Sequence, residues 1–335
     1  MAQQEKTGLK RGVTLYSYQE EFYTRAMTLE DCLAEVASMG ADGVELLPEQ
    51  MVPDYPNPSQ SWVDQWFNWL DKYHLKPVCL DTFVDNTWGG HRVMSLDESV
   101  ETLVMQMKMC NRLGFKMMRP TTGHDAAPEM MLKAIPYAEK YEVKIAFELH
   151  TPVTLGSKFI DNYLGLIEKT GTRHFGFTLD LGLFCTRVPR IVSDYHLRHG
   201  ASEEVVRYAI EAFANRADAQ TVDAEVKKMS TKEIDHMMAM FAYRYGPATN
   251  DPRDLPYIIP HIFNIHGKFY EMTEEMREYS VPYETILPIL MEHGCAAYIN
   301  SEYEGQRWTQ NVYDTDSCEI LRRHHLMLKQ LLGEN

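Results

Sequence analysis

Eight short apolar runs alternate with longer segments of helical period along the 335-residue chain, no glycine-rich turn follows the first run, and the last helical segment ends close to the C-terminus. Together these predict an α/β chain folded as a single (β/α)8 TIM-type barrel. The other architecture that such alternation allows, an open doubly wound sheet, normally carries a glycine-rich loop after its first strand, and none follows Tyr16.

Taken in order, the first strand is expected over Gly12 to Ser17 and the second over Gly43 to Leu47, with a helical stretch from Thr28 to Met39 between them. The pattern repeats as helix Ser59 to Tyr73, strand Pro77 to Leu80, helix Ser95 to Leu113, strand Lys116 to Arg119, helix Ala127 to Tyr141, strand Lys144 to Leu149, helix Lys158 to Thr170 and strand Phe175 to Leu179. Thr28, Ser59 and Ser95 are residue types that cap helices, and Leu113-Gly114 and His293-Gly294 have the glycine that commonly ends them. The connection from residue 189 to 260 is too long for an ordinary crossover and contains helical patterns at Glu203 to Arg216 and Thr231 to Tyr245, so it reads as a helical insertion beside the barrel mouth. Strand Ile262 to Ile265, helix Pro282 to Glu292, strand Ala297 to Ser301 and helix Tyr313 to Leu331 complete eight units. The chain thus reads as one domain over residues 1–335, with a polar tail at residues 1–11.

Hydrophobic residues make up 44% of the chain and charged residues 24%, as in ordinary globular enzymes. A formal net charge of -15 repels phosphate backbones and anionic lipid, which argues against nucleic-acid or membrane-surface roles. The six cysteines are scattered without a C-x-x-C pair, and no stretch has the length and apolarity of a membrane span or a signal core. Reduced thiols and a cytoplasmic location are the expectation. The 20 methionines fall mostly at helical positions and read as core filler, whereas His324 and His325 read as a solvated helix surface.

Active sites of such barrels gather at the C-terminal ends of the strands, so ionisable residues there are the candidates. Run five, Lys144-Ile-Ala-Phe-Glu-Leu-His150, offers Glu148 and, on the same face, His150. Run six ends in Asp180, run seven offers His266 with Lys268 on the same face, and run eight offers Glu302 or Glu304. Of these last two, Glu302 is taken as the ligand and Glu304 as a rim carboxylate, paired with Arg307 or in contact with substrate. Three carboxylates converging in one barrel mouth repel one another unless a cation lies between them. Oxygen donors with one imidazole suit Mn2+ first, with Mg2+, Co2+, Fe2+ or Zn2+ as alternatives. Each residue taken alone also fits an ordinary structural role.

The quartet Glu148, Asp180, His266 and Glu302 resembles the metal site of the sugar isomerase/epimerase-like barrels of the xylose isomerase-like superfamily. Within it, Leu15-Tyr-Ser-Tyr-Gln-Glu-Glu-Phe22, Glu148-Leu-His150 and Ser301-Glu-Tyr-Glu-Gly305 look like the large (alpha) subunit of bacterial C-glycoside deglycosidases. The ketose 3-epimerases typically have a histidine where this chain has Leu183, and His266-Gly-Lys268 is similar to the His-x-Lys of inosose dehydratases.

The resemblance implies a lyase that acts on 3-oxo-glycosides with an aromatic aglycone, removing the C2 proton and expelling the aglycone by β-elimination. It also implies a small β-rich partner subunit in a hetero-oligomer. His150 is the candidate base or else a group that holds Glu148 in place, and Lys268 either neutralises an oxyanion or is an exposed lysine of the rim. Arg119 is a candidate sugar contact or a structural ion pair. Trp88 and His91 are candidate aglycone contacts or packed loop residues, and Tyr303 and Trp308 carry the same two readings. A metal-dependent sugar isomerase or epimerase, an inosose-dehydratase-like enzyme and a non-catalytic assembly subunit stay open as alternatives.

Overall fold

The structure is a computed structural model and describes residues 8–85, 87, 92–122, 127–244, 250–309 and 316–334, the side chains of 241–244 excepted. Strands β1 (Lys10–Thr14), β2 (Gly43–Leu46), β3 (Lys76–Val84), β4 (Met117–Thr122), β5 (Lys144–Leu149), β6 (Phe175–Asp180), β7 (Ile262–Phe269) and β8 (Tyr298–Tyr303) form a closed parallel barrel in sequence order. β1 closes it by pairing with β8. Such closure leaves no open sheet edge.

Several strand limits differ from the sequence expectation. β1 starts at Lys10, inside the expected tail, and stops at Thr14, whose hydroxyl accepts the Tyr16 amide and opens a 3-10 turn at Leu15–Tyr18. β3 continues through Asp81 to Val84, β7 through His266 and Lys268 to Phe269, and β8 through Glu302 to Tyr303. Apolar runs end where charge begins, but a barrel strand continues through charged residues whose side chains find partners inside the barrel.

The crossover helices pack their apolar faces on the outside of the sheet. Trp66, fully buried on helix Gln60–Tyr73, donates its indole N–H to the Leu113 carbonyl and stacks on Phe115. Tyr163, on helix Lys158–Thr170, stacks on Phe147 at 4.7 Å and on Phe175 at 5.8 Å, joining β5 and β6 from outside. Between β6 and β7 the chain runs through helices Arg190–Arg198, Glu203–Ala214, Ala219–Met229 and Glu233–Arg244, then through short 3-10 turns at Pro252–Tyr257 and Ile259–His261. Among the described residues no helix is long and apolar enough to cross a membrane. All six cysteines are free, five of them buried.

The last helix, Ser317–Leu332, corrects one expectation. His324 and His325 are buried, not solvated, because they share the helix face of Leu321, Leu328 and Leu332 that packs on β8. Arg11 donates to Nδ1 of His325 at 3.1 Å, so that ring carries its proton on Nε2 and gives it to Ser301 Oγ at 3.0 Å. Ser301 Oγ in turn stands 2.9 Å from Nδ1 of His324, whose ring lies flat against Phe269 at 4.0 Å. Burial, and then the Arg11 charge, push His325 down to about 3, and burial holds His324 well below its usual value. Both rings are therefore neutral in the fold, and the stability they contribute is complete above about pH 6.5 and lost as the pH falls from there toward 3. Urea unfolding of wild type and H325Q is expected to respond differently to pH in this range. The wild-type stability should fall more steeply by about 1.4 kcal/mol per pH unit between pH 6 and 4. Equal slopes would show that His325 is not held neutral.

Candidate functional site

Side-chain alternation sends Asn264, His266 and Lys268 of β7, Asn300 and Glu302 of β8, and Glu148 and Asp180 of β5 and β6 to the barrel interior. The register sets Asp180 beside His266 and Lys268 beside Glu302. His266 is the centre of the group and is fully buried. Its Nδ1 lies 2.8 Å from Glu148 Oε1 and 3.2 Å from Glu302 Oε2, and its Nε2 lies 2.9 Å from Glu45 Oε1.

Of the four expected ligands, the donor atoms of Glu148, His266 and Glu302 all lie within 4.8 Å of one another. Asp180 is not in that group. Its Oδ1 accepts the Gly182 amide at 2.7 Å and its Oδ2 stands 3.3 Å from Lys268, which bridges it to Glu302 at 2.9 Å. Of the two β8 glutamates, Glu302 reaches His266, while Glu304 meets Lys268 at 3.1 Å and Tyr16 at 3.4 Å. Arg307 lies over the Tyr16 ring. Arg119 is engaged by Asp81 at 2.8 Å and by Glu148 at 3.4 Å. His150 lies one residue past the end of β5, exposed, with Nδ1 2.5 Å from the Thr151 carbonyl. Leu183 is buried, Tyr303 packs on Phe269, and Trp308 packs on Tyr195. Trp88 and His91 lie outside the described residues.

Sequence reasoning missed the floor beneath His266. Glu45 of β2 is fully buried, and its Oε2 accepts the side-chain amides of Asn300 at 2.8 Å and Asn264 at 3.2 Å. Asp81 of β3 takes the Thr14 hydroxyl at 3.3 Å, opposite its pair with Arg119. Gly12 makes room for this layer, because a Cβ there would overlap the Asn300 side-chain oxygen. A signal was available: Glu45 is the charged residue inside the short buried run Gly43-Val-Glu-Leu46, where an acid needs a partner.

The electrostatics separate these carboxyls. Burial raises Glu302, but Lys268 and then His266 outweigh it and hold the acid well below its usual range. Burial opposes Glu148 likewise, and Arg119 and His266 hold it low. Asp180 goes the other way, raised to about 6 by burial, with Lys268 pulling down and Glu302 and Glu148 pushing up. Asp81 is raised well above its usual value by burial, only partly offset by Arg119. Burial works against the charge on Glu45 too, but His266 and then a hydrogen bond from Asp81 outweigh it and draw this acid down to about 2.

Two ionised carboxylates thus face one ring nitrogen. A neutral imidazole with its proton on the Glu45 side turns a lone pair toward both of them, an arrangement that is favourable only with a positive charge in between. A proton on Nδ1 supplies that charge in the bare protein. The donor set of two carboxylates and an imidazole, with a third carboxylate one lysine away, could equally hold a metal ion.

The fold and sequence have recognisable kin. Residues 33–190 match the xylose isomerase-like TIM barrel family. The chain is 28% identical to a 3'-dehydrocarminate deglycosidase alpha subunit from a Microbacterium species, over 96% of this chain and 95% of that one. It is 25% identical to a C-glycoside deglycosidase alpha subunit from Arthrobacter globiformis, over 98% and 94%. A crystal structure of a sugar phosphate isomerase/epimerase from Parabacteroides distasonis superimposes with a TM-score of 0.57 at 12% identity, covering 98% of this chain and 96% of that chain.

Proposed function

We propose that this xylose isomerase-like TIM barrel is the metal-binding subunit of a deglycosidase, a lyase that cleaves the C–C bond, and by the same chemistry the C–O bond, between a 3-oxo sugar and its aglycone. The observation that carries the reading is similarity over nearly the full length to two alpha subunits of deglycosidases, in a chain whose mouth holds Glu148, His266 and Glu302 around one point. Glu148, Asp180, His266 and Glu302 are the residues that would hold the metal, with Mn2+ preferred by their mostly oxygen donors. When bound, that ion would supply Lewis acidity to the oxidised sugar.

The chain's own groups do the rest. His150, exposed at the mouth just past Glu148, takes the proton from C2. The C2–H electron pair becomes the C1–C2 double bond as the C1–aglycone bond breaks, and its electrons leave with the aglycone. His150 then returns the proton to the leaving carbon or oxygen, so hydrogen moves from C2 to the aglycone without net oxidation. Lys268, held between Asp180, Glu302 and Glu304, would steady negative charge developing on the sugar oxygens. The chain carries Leu183, buried in the core, where the ketose 3-epimerases typically carry a histidine, which favours elimination over epimerisation.

The alpha-subunit names of the relatives also support a partner subunit, so the assay uses the assembled complex. Incubated with a 3-oxo-C-glycoside, it is expected to release free aglycone in a reaction that EDTA stops and Mn2+ restores. Absence of release, or release indifferent to EDTA, would overturn the reading. Solvent deuterium entering a free ketose beside its carbonyl would point instead to isomerisation.

A further inference from the structure

We propose that Glu45 is a positioning residue that sets the proton of His266 on Nε2 and so turns the Nδ1 lone pair toward the space between Glu148 and Glu302. The inference rests on the reading that this space holds a divalent cation.

A carboxylate can only accept, so the Nε2 that stands 2.9 Å from Glu45 Oε1 must be the donor. Neither group touches solvent, and water cannot substitute for either. The other oxygen of Glu45 is occupied by the amides of Asn264 and Asn300, and Asn300 also donates to the Asn264 side-chain oxygen at 2.8 Å. The two amides therefore present only N–H groups to Glu45 Oε2, while Oε1 faces the ring. Gly12 leaves space for Asn300, and β2, β7 and β8 each contribute a member. Such support fixes the ring plane as well as the tautomer, two properties on which the affinity of a histidine ligand depends.

The substitution Glu45→Gln tests the orientation through its own hydrogen-bond logic. If the new amide oxygen faces His266, its NH2 meets the N–H groups of Asn264 and Asn300. If it turns round, the NH2 faces Nε2 and drives the ring proton to Nδ1, where it blocks the ligand atom. Either way Mn2+, titrated into metal-free protein and followed as free ion by electron paramagnetic resonance, should bind about 10- to 100-fold more weakly than in wild type. Adding Asn300→Asp gives the introduced NH2 an acceptor and frees the amide oxygen beside it for the ring, so E45Q/N300D should bind Mn2+ more tightly than E45Q by about tenfold. Loss of a merely structural buried group would not be repaired by a second change of this kind. If E45Q fails to fold, Glu45→Asp serves, because it keeps the negative charge but draws the carboxylate back from Nε2, with the same weakening expected. Affinity in E45Q equal to wild type, or no recovery in the double variant, overturns the proposal alone. Wild-type protein that binds no Mn2+ overturns the metal reading and this one with it.

Discussion

Glu148→Gln is expected to abolish stoichiometric Mn2+ binding and to lower metal-dependent aglycone release by a factor on the order of 10³, comparable to removing a key electrostatic group from a water-excluded site. One Glu148 oxygen lies 2.8 Å from His266 Nδ1 and the other 3.4 Å from the Arg119 guanidinium. A glutamine keeps the shape but not the charge, and one end of its amide must point a donor at a donor. If the arrangement were only an ion-pair network, E148Q would lose stability yet leave metal content and turnover unrelated. Elemental analysis of dialysed protein, beside initial rates, separates the two. A variant that retains one equivalent of metal and the wild-type rate would remove Glu148 from the ligand set.

Lys268→Met is expected to act in opposite directions on two measurements. In the bare protein its ammonium lies 3.3 Å from Asp180, 2.9 Å from Glu302 and 3.1 Å from Glu304, and it is almost wholly buried. Removing it leaves buried carboxylates without their counter-charge, which costs about 3–5 kcal/mol and lowers the melting temperature of metal-free protein by roughly 4–7 °C for a chain of this length. The same change removes a competitor for the Asp180 and Glu302 oxygens, so Mn2+ should bind more tightly and should raise the variant's melting temperature more than the wild type's. Calorimetric melts with and without metal test both halves. Weaker Mn2+ binding in K268M would mean that the ammonium supports the metal site.

The barrel was legible because its helices carry strong period and caps: Ala127–Tyr141 and Lys158–Thr170 lie where the pattern puts them. Glu148, Asp180, His266 and Glu302 stood out because each is a charge at the end of an apolar run, and three of them meet. Glu45 and Asp81 did not, for two different reasons. Glu45 lies inside a strand short enough to look wholly apolar, whereas Asp81 lies just past the point where hydrophobicity ends and well before the strand does, at Val84. Burial of both depends on partners contributed by β1, β4, β7 and β8, information that no local window contains. His324 and His325 have a residue type that suggests a solvated face, but their spacing from Leu321 and Leu328 puts them on the inner one. The role of Arg119 depends on β3 and β5 arriving on either side of it.

The seam between β1 and β8 bears on how the chain is made. Arg11 is held by the Met39 and Gly40 carbonyls, which follow it closely in sequence, but also by His325 and Glu334, more than 300 residues downstream. While the polypeptide is being synthesised, β1 can pair with β2 early, yet its other edge has no neighbour until β8 and the last helix have left the ribosome. For most of translation this edge is an open strand of the kind that recruits other chains, and the charged Arg11 waits there without its distant partners. Sealing of the barrel is therefore a late event in biogenesis, governed by contacts between the two ends of the described chain.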